Sequence, residues 1–311
     1  MTTLICGSFA YDTIMVFGDR FKNHILPDQV HILNVCFVAP EMRREFGGCA
    51  GNIAYNLKLL GGAPLPMGTA GNDFDAYAAW MDKCGIDRKH VTILKDCYTA
   101  QAYITTDLDD NQITAFHPGA MSQAHVNKIS DAAAVELGIV SPDGREAMIE
   151  HAAQFAAAGI PFIFDPGQGL PMFDGEELLR FIEQASYVTV NDYESQLFQE
   201  RTGRSLKQLA AGVEAFIVTK GAQGSEIHVD GMVIAVPAAS VTRAVDPTGC
   251  GDAFRAGLLY GLALGQDWEQ TGRIASLCGA MKIECHGTQN HRFTRAEFAQ
   301  RLAQEYGLNF E

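Results

Sequence analysis

The chain has 311 residues, 47% of them hydrophobic, with a formal net charge of -14 at pH 7 and a pI of about 5.0. That hydrophobic content supports a large buried core and excludes a disordered chain. The acidic balance excludes a non-specific polyanion binder such as a DNA-coating protein, but leaves room for a nucleotide held by local donors.

No basic segment with an apolar stretch behind it opens the sequence, and no apolar run is long enough to span a membrane. A cytoplasmic protein with neither nucleic-acid nor membrane partners is expected. The eight cysteines are Cys6, Cys36, Cys49, Cys84, Cys97, Cys250, Cys278 and Cys285. None has CxxC spacing, so reduced thiols are expected rather than a zinc or redox motif.

Residues 3–6 read as a short apolar strand ending at Gly7-Ser8. Asp12 follows, either a turn residue or one placed where ligands gather beyond strand ends. Residues 13–17 and 35–38 are further strand candidates. Next comes Phe46-Gly47-Gly48-Cys49-Ala50-Gly51-Asn52, leading into a helix at about 51–60. Its small residues allow a ligand or backbone to come close. Asn52, on the first turn, offers a donor and an acceptor. Residues 68–73 read as a turn after a buried strand, and 73–84 as a helix. Strands at 100–106 and 113–116 flank the turn-forming Asp109-Asp110-Asn111. Phe116 and Met121 close that unit, and His117 reads as a surface residue.

From 135 onward, strand and helix alternate. Strands are predicted at 137–140, 162–165, 187–190 and 216–219, with helices at 144–158, 175–184 and 193–201 between them. This is the pattern of a parallel sheet covered by helices on both faces. Just past the third of these strands, Asn191 and Glu194 share a helical face. Such a pair either orders Mg²⁺ through water or caps a helix. Thr219-Lys220-Gly221 follows the fourth. Residues 224–236 read as a hairpin turning at Asp230-Gly231, and 267–284 and 294–306 as closing helices.

The most informative stretch is Asp246-Pro247-Thr248-Gly249-Cys250-Gly251-Asp252, which opens an apolar helix at 253–264. Gly249 and Gly251 let the backbone turn sharply. The free N–H groups of a helix N-terminus suit an anion such as phosphate. Asp252 sits where those donors converge. It is either a helix cap or a base taking a proton from an attacking hydroxyl. The sequence has no P-loop string, no HExxH and no G-x-S-x-G.

The string from Asp246 to Gly257 closely resembles the C-terminal signature of the ribokinase-like carbohydrate and nucleoside kinases, with Cys250 where Ala is usual. Gly47-Gly48 through Asn52 and Ala54 resembles the family's N-terminal half-signature. Asn191-x-x-Glu194 and Thr219-Lys220-Gly221 resemble two more of its segments. The resemblance covers nearly the whole chain and is closest to bacterial adenosine kinases of ribokinase type. It implies an α/β fold: a Rossmann-like, mostly parallel sheet with helices on both faces and a small β-sheet lid. One kinase domain over 1–311 is expected, with the lid at about 13–45 and 98–118.

The implied reaction is phosphoryl transfer from ATP to the 5′-hydroxyl of a nucleoside, adenosine first. Asp252 would act as base, with the N–H groups of Gly249, Cys250 and Gly251 on the transferring phosphoryl. Ser8, Asp12, Gly47, Gly48 and Asn52 would hold the ribose. Phe37, Phe116, Met121 and Gln168 would serve the base. Asn191, Glu194, Thr219, Lys220 and Gly221 would serve ATP and Mg²⁺. Asp246, Thr248 and the segment 284–291 match the place of a K⁺ ion in the family. Two departures bear on the base. Tyr103 stands beside Ala102, where relatives carry an aromatic residue, and Gly169 replaces a polar residue. Inosine, guanosine and cytidine therefore stay open. A sugar kinase of the same fold and a non-catalytic nucleoside sensor are the alternatives. The apolar lid strands at 13–17 and 35–38 imply a homodimer through the lid.

Overall fold

The computed structural model describes residues 1–109 and 111–308. Thirteen strands among them form two sheets. In chain order the first half runs β1 (Thr2–Cys6), β2 (Ala10–Val16), β3 (Glu41–Gly47), α1 (Cys49–Leu59), β4 (Ala63–Gly71), α2 (Asp75–Cys84), β5 (His90–Leu94), β6 (Ala100–Thr106) and β7 (Gln112–His117). The next part is β8 (Leu137–Val140), α3 (Arg145–Ala158), β9 (Phe162–Phe164), α4 (Gly175–Gln184), β10 (Tyr187–Asn191), α5 (Asp192–Thr202), α6 (Leu206–Ala210) and β11 (Ala215–Thr219). The chain closes with β12 (Ser225–Val229), β13 (Met232–Val236), α7 (Cys250–Ala263), α8 (Trp268–Ile283) and α9 (Arg295–Tyr306).

The large sheet has nine strands in the order β13-β12-β11-β10-β9-β8-β1-β4-β5. Pairing is parallel from β11 across to β5, and β12 and β13 add an antiparallel hairpin at one edge. Period-2 alternation splits the strand residues between two cores. Ile5, Ile139, Ile163 and Ile217 face one cluster with residues of α1, α7 and α8. Leu4, Cys6, Val140, Phe162, Phe164 and Val218 face the other with residues of α3, α4 and α5. Strand order reverses at β1, which has β8 on one side and β4 on the other. In open α/β sheets the ligand crevice lies beyond the strand ends at such a switch point.

The small sheet has the order β3-β2-β6-β7. Ala10, Asp12, Ala102, Ile104 and Phe116 on its inner face wall the main cavity. One sequence expectation fails here. Residues 33–39 carry no strand, although Val35-Cys36-Phe37-Val38 has strand composition. The run joins neither β2, paired on both edges by β3 and β6, nor the outer edge of β3 or β7, and its Phe37 packs instead on Phe17, Phe21 and His24. β3 itself escaped notice because Glu41 to Arg44 are exposed, and Met42 is the one apolar residue among three charged ones. Residues 68–71 extend strand β4 rather than forming a turn, and β5 and α6 were also unforeseen. Of the expected hairpin turn between β6 and β7, Asp110 lies outside the described residues.

Candidate active site

A cavity of about 1420 Å³ lies between the two sheets, beyond the carboxyl ends of the large sheet's strands. The N-termini of α1 and α7 open into it, among others. At α1, the N-cap Gly48 has φ 88°. A Cβ there would sit 2.5 Å from the Ser8 carbonyl oxygen and 2.6 Å from the Ala10 nitrogen, so only glycine fits. Ser8 organises this turn. Its hydroxyl accepts from the Cys49 N–H (3.2 Å) and its carbonyl from the Ala50 N–H (3.0 Å).

At α7, the N-cap Gly249 has φ 78°, again a glycine conformation. The first turn of a helix leaves its N–H groups without intrahelical acceptors. The Cys250 N–H is an exception here: it donates to the Pro247 carbonyl at 3.1 Å. The expected donor trio thus loses its middle member, and the Asp252 N–H joins Gly249 and Gly251 in the first turn.

The two termini meet through a side-chain hydrogen bond. Asn52 Nδ2 donates to Asp252 Oδ2 at 2.8 Å across 200 positions of sequence. Burial pushes the Asp252 carboxyl up to about 6, with Asn52 and Arg255 working against it. Asp12 also lies at about 6, raised first by burial and then by the charges of Asp252 and Glu45. A base poised near neutrality suits proton abstraction from an alcohol.

Asp165, after β9, and Arg255, on α7, form a buried two-pronged ion pair at 2.6 and 2.7 Å. Gly251 makes room for it, since a Cβ there would lie 2.5 Å from Arg255 Nη1. Among the described residues lining the cavity, Arg255 is the one Lys or Arg, against Asp12, Asp143, Asp165, Asp192, Glu194 and Asp252. A polyphosphate in such a site needs a divalent cation to offset the charge.

Asn191 and Glu194 line the cavity and also cap α5. Asn191 Oδ1 accepts from the Glu194 N–H (2.7 Å), and Glu194 Oε2 accepts from the Asn191 N–H (2.8 Å). The capping reading is thus realised: each spends one oxygen on the cap, and Glu194 Oε1 stays outside that box. Thr219 and Gly221 line the cavity, while Lys220 turns away to pair with Glu226.

Met121, Phe116 and Gln168 line the opposite end with Ala102, Ile104 and Met172. Phe37 is not among the lining residues: it packs on Phe17, Phe21 and His24. Its expected contact with a substrate base is therefore corrected, because the 33–39 segment folds onto its own aromatic cluster. The β6 register settles Tyr103 as well. It pairs with Thr13 and Ala115 on the outer face, whereas Ala102 points inward beside Asp12 and Phe116.

At the expected K⁺ place a lysine side chain meets two backbone carbonyls. Lys282 Nζ donates to the Asp246 carbonyl at 2.7 Å and to the Cys285 carbonyl at 3.3 Å. An ammonium on those carbonyls opposes a second cation beside it by like-charge repulsion. The Asp246 carboxylate is occupied too, accepting from Thr248 N–H and Gly287 N–H at 2.9 Å each. Thr248 lines the cavity; Asp246 is not among the lining residues.

Sequence reading missed Asp143. It follows β8 at the switch point, lines the cavity and is buried. One oxygen accepts from the Gly144 N–H at 2.9 Å, and Oδ2 has no partner. Burial raises its carboxyl to about 8. The logic that picked out Asp12, an acid just past an apolar strand, also applies to Ser141-Pro142-Asp143-Gly144.

The pfkB family carbohydrate kinase model matches residues 13–294. A nucleoside kinase of Methanocaldococcus jannaschii is 30% identical over 86% of this chain and 89% of its own. A structure of Burkholderia thailandensis nucleoside kinase in complex with inosine superposes with a TM-score of 0.90, at 53% identity over 99% of both chains. A fructokinase of Escherichia coli is 29% identical over 78% of this chain and 86% of its own. With this match and the geometry above, the chain belongs to the pfkB family of ribokinase-like carbohydrate kinases and is a phosphotransferase acting on an alcohol group.

Proposed function

We propose that this protein transfers the γ-phosphoryl group of ATP to the 5′-hydroxyl of a purine nucleoside, adenosine and inosine foremost. The observation that carries this is the meeting of the α1 and α7 N-termini at the Asn52–Asp252 hydrogen bond, with an apolar end in the same cavity. Ala102, Ile104, Phe116, Met121 and Met172 supply flat, apolar contact of the kind a base needs and a bare sugar does not. The 53% identity to a nucleoside kinase crystallised with inosine supports the same reading.

In this reading Asp12, Gly48 and Asn52 hold the ribose hydroxyls. Asp252 accepts the 5′-hydroxyl proton as that oxygen attacks the γ-phosphorus and ADP leaves. The first-turn N–H groups of α7 stabilise the charge on the transferring group. Mg²⁺, when bound, draws charge off the phosphates, and Asn191 and Glu194 are the residues that would hold it through water. The six acids around one cation are the chemistry that fits such an ion. Assembly is proposed as a homodimer through the outer face of the small sheet.

The test is a panel of inosine, adenosine, guanosine, cytidine, ribose and fructose with coupled ADP detection. Purine nucleosides should lead in kcat/KM by tenfold or more over the free sugars. A lead for ribose or fructose would move the assignment to a sugar kinase. Absence of turnover on every substrate would leave a non-catalytic sensor.

A further inference from the structure

Behind the Asn52–Asp252 contact lies a buried chain of hydrogen bonds that runs in one direction. Asn52 Oδ1 accepts from Gln289 Nε2 at 2.9 Å. Gln289 Oε1 accepts from Trp80 Nε1 at 2.9 Å. Gln289 Nε2 also donates to the Tyr77 hydroxyl at 2.7 Å, and that hydroxyl donates to the Gly47 carbonyl at 2.8 Å. Asn52, Tyr77 and Gln289 are all buried. The space exists because residue 51 is glycine. A Cβ there would lie 1.9 Å from the Tyr77 hydroxyl oxygen and 3.2 Å from Gln289 Nε2.

The two ends fix every orientation between them. An indole N–H can only donate, and an ionised carboxylate can only accept. Gln289 must therefore show its oxygen to Trp80 and its NH₂ to Asn52. Asn52 must then show its oxygen to Gln289 and its NH₂ to Asp252. An isolated Asn amide has two orientations, and flipping it would set its oxygen against the Asp252 carboxylate. A carboxylate in that position would be held protonated and could not act as a base.

We infer that Gln289, itself oriented by the Trp80 indole N–H, is a positioning residue for phosphoryl transfer: it locks the Asn52 amide with its NH₂ toward Asp252. The Tyr77–Gly47 branch anchors the same chain at the end of β3, where the small sheet joins α1. The inference rests on reading Asp252 as the base. Other groups acting on the Asp252 charge are Arg255 on its own helix, Asp165 after β9, Cys49 on α1, Asp12 on β2 and Lys282 on α8. Neither variant below alters any of them.

The test uses Gln289→Met, which keeps volume and removes the amide, and Trp80→Phe, which keeps a ring against Phe46 and Tyr55 and removes the N–H. The kcat/KM for inosine is measured from pH 5 to 9, alongside thermal melting. Gln289→Met should lower kcat about tenfold, the scale of one lost positioning hydrogen bond, and move the acidic limb up by about half a pH unit or more. Trp80→Phe should shift the limb the same way by less. Added to Asp252→Asn, Gln289→Met should cost almost nothing further, since both act through one carboxylate. Limbs that stay at the wild-type position in both variants would overturn the inference. So would a full tenfold further loss in the Asp252→Asn background, which would mark a role in packing alone. If Asp252→Asn by itself keeps near-normal kcat, it is the reading of the base that fails.

Discussion

Burial, first among the causes, raises Asp252 and Asp12 to about 6, and the Asp252 charge adds to the rise at Asp12. Their titrations are coupled, so activity reports the pair and not one group. On the proposed reading both must be ionised, one to take the proton and one to bind the ribose. The kcat/KM for nucleoside should therefore fall below about pH 6 with a limb steeper than one proton. An unchanged rate down to pH 4 would contradict the base. Asp252→Asn should keep the fold and nucleotide binding and lower kcat by roughly 10²-fold or more. Asp143 makes a different, structural prediction. Its folded value of about 8 lies above the ordinary 3.8, so between those values the folded state binds the extra proton. That contribution is present at low pH and is lost as pH rises through about 8. Asp143→Asn should melt close to wild type at pH 5 and several degrees above it at pH 9. A gap that does not change with pH would show that Asp143 is ionised in the folded protein.

Helix α7 does two jobs because its ends meet different surroundings. Its first turn presents N–H groups to the cavity, and Arg255, one turn on, is clamped to Asp165. Helix α8 packs beside it and sends Lys282 under the loop that carries Asp246. That buried ammonium ties the loop to the segment after α8 through two carbonyls, the job a bound monovalent cation would otherwise do. Replacing K⁺ by a bulky organic cation at equal ionic strength should leave wild-type activity within about twofold. Lys282→Met should lose most of its activity, because it leaves buried carbonyls unpaired. Strong activation of the wild-type protein by K⁺ would refute this account. Among the elements, capping was the most legible device. The cap reading of Asn191 and Glu194 is met by a capping box at α5, and Asp174 with Glu177 forms another at α4 that the sequence reading had not singled out.

At the level of the entire protein, the small sheet has one face in the cavity and one outside. Register puts Thr13, Met15, Met42, Arg44, Tyr103 and Ile113 on the outer face. Met42 is 70% exposed, Ile113 45% and Tyr103 43%, a patch of the kind that marks an interface. Sedimentation at micromolar concentration should show a dimer. Met42→Glu, which sets a charge opposite Met15, should split it and raise the KM for nucleoside. A wild-type monomer under those conditions would remove the interface.

The sequence alone determined the alternation of strands and helices from β8 onward, the two glycine turns and the carboxylate between them. These are local: a positive φ demands glycine, a helix N-terminus wants a cap, and an apolar run of four or five residues makes a strand. Tertiary structure decided the rest. Only the tertiary packing of Phe37 on Phe17, Phe21 and His24 kept it out of the cavity wall, with residues 35–38 in neither sheet. Only the packing of α1 on α7 joined Asn52 to Asp252. Trp80, Gln289, Asp143 and Lys282 carry no motif, and each acquires its role from one polar atom placed in a buried space. Such placement comes from contacts between residues as far as 237 positions apart, as for Asn52 and Gln289, and no local pattern encodes it.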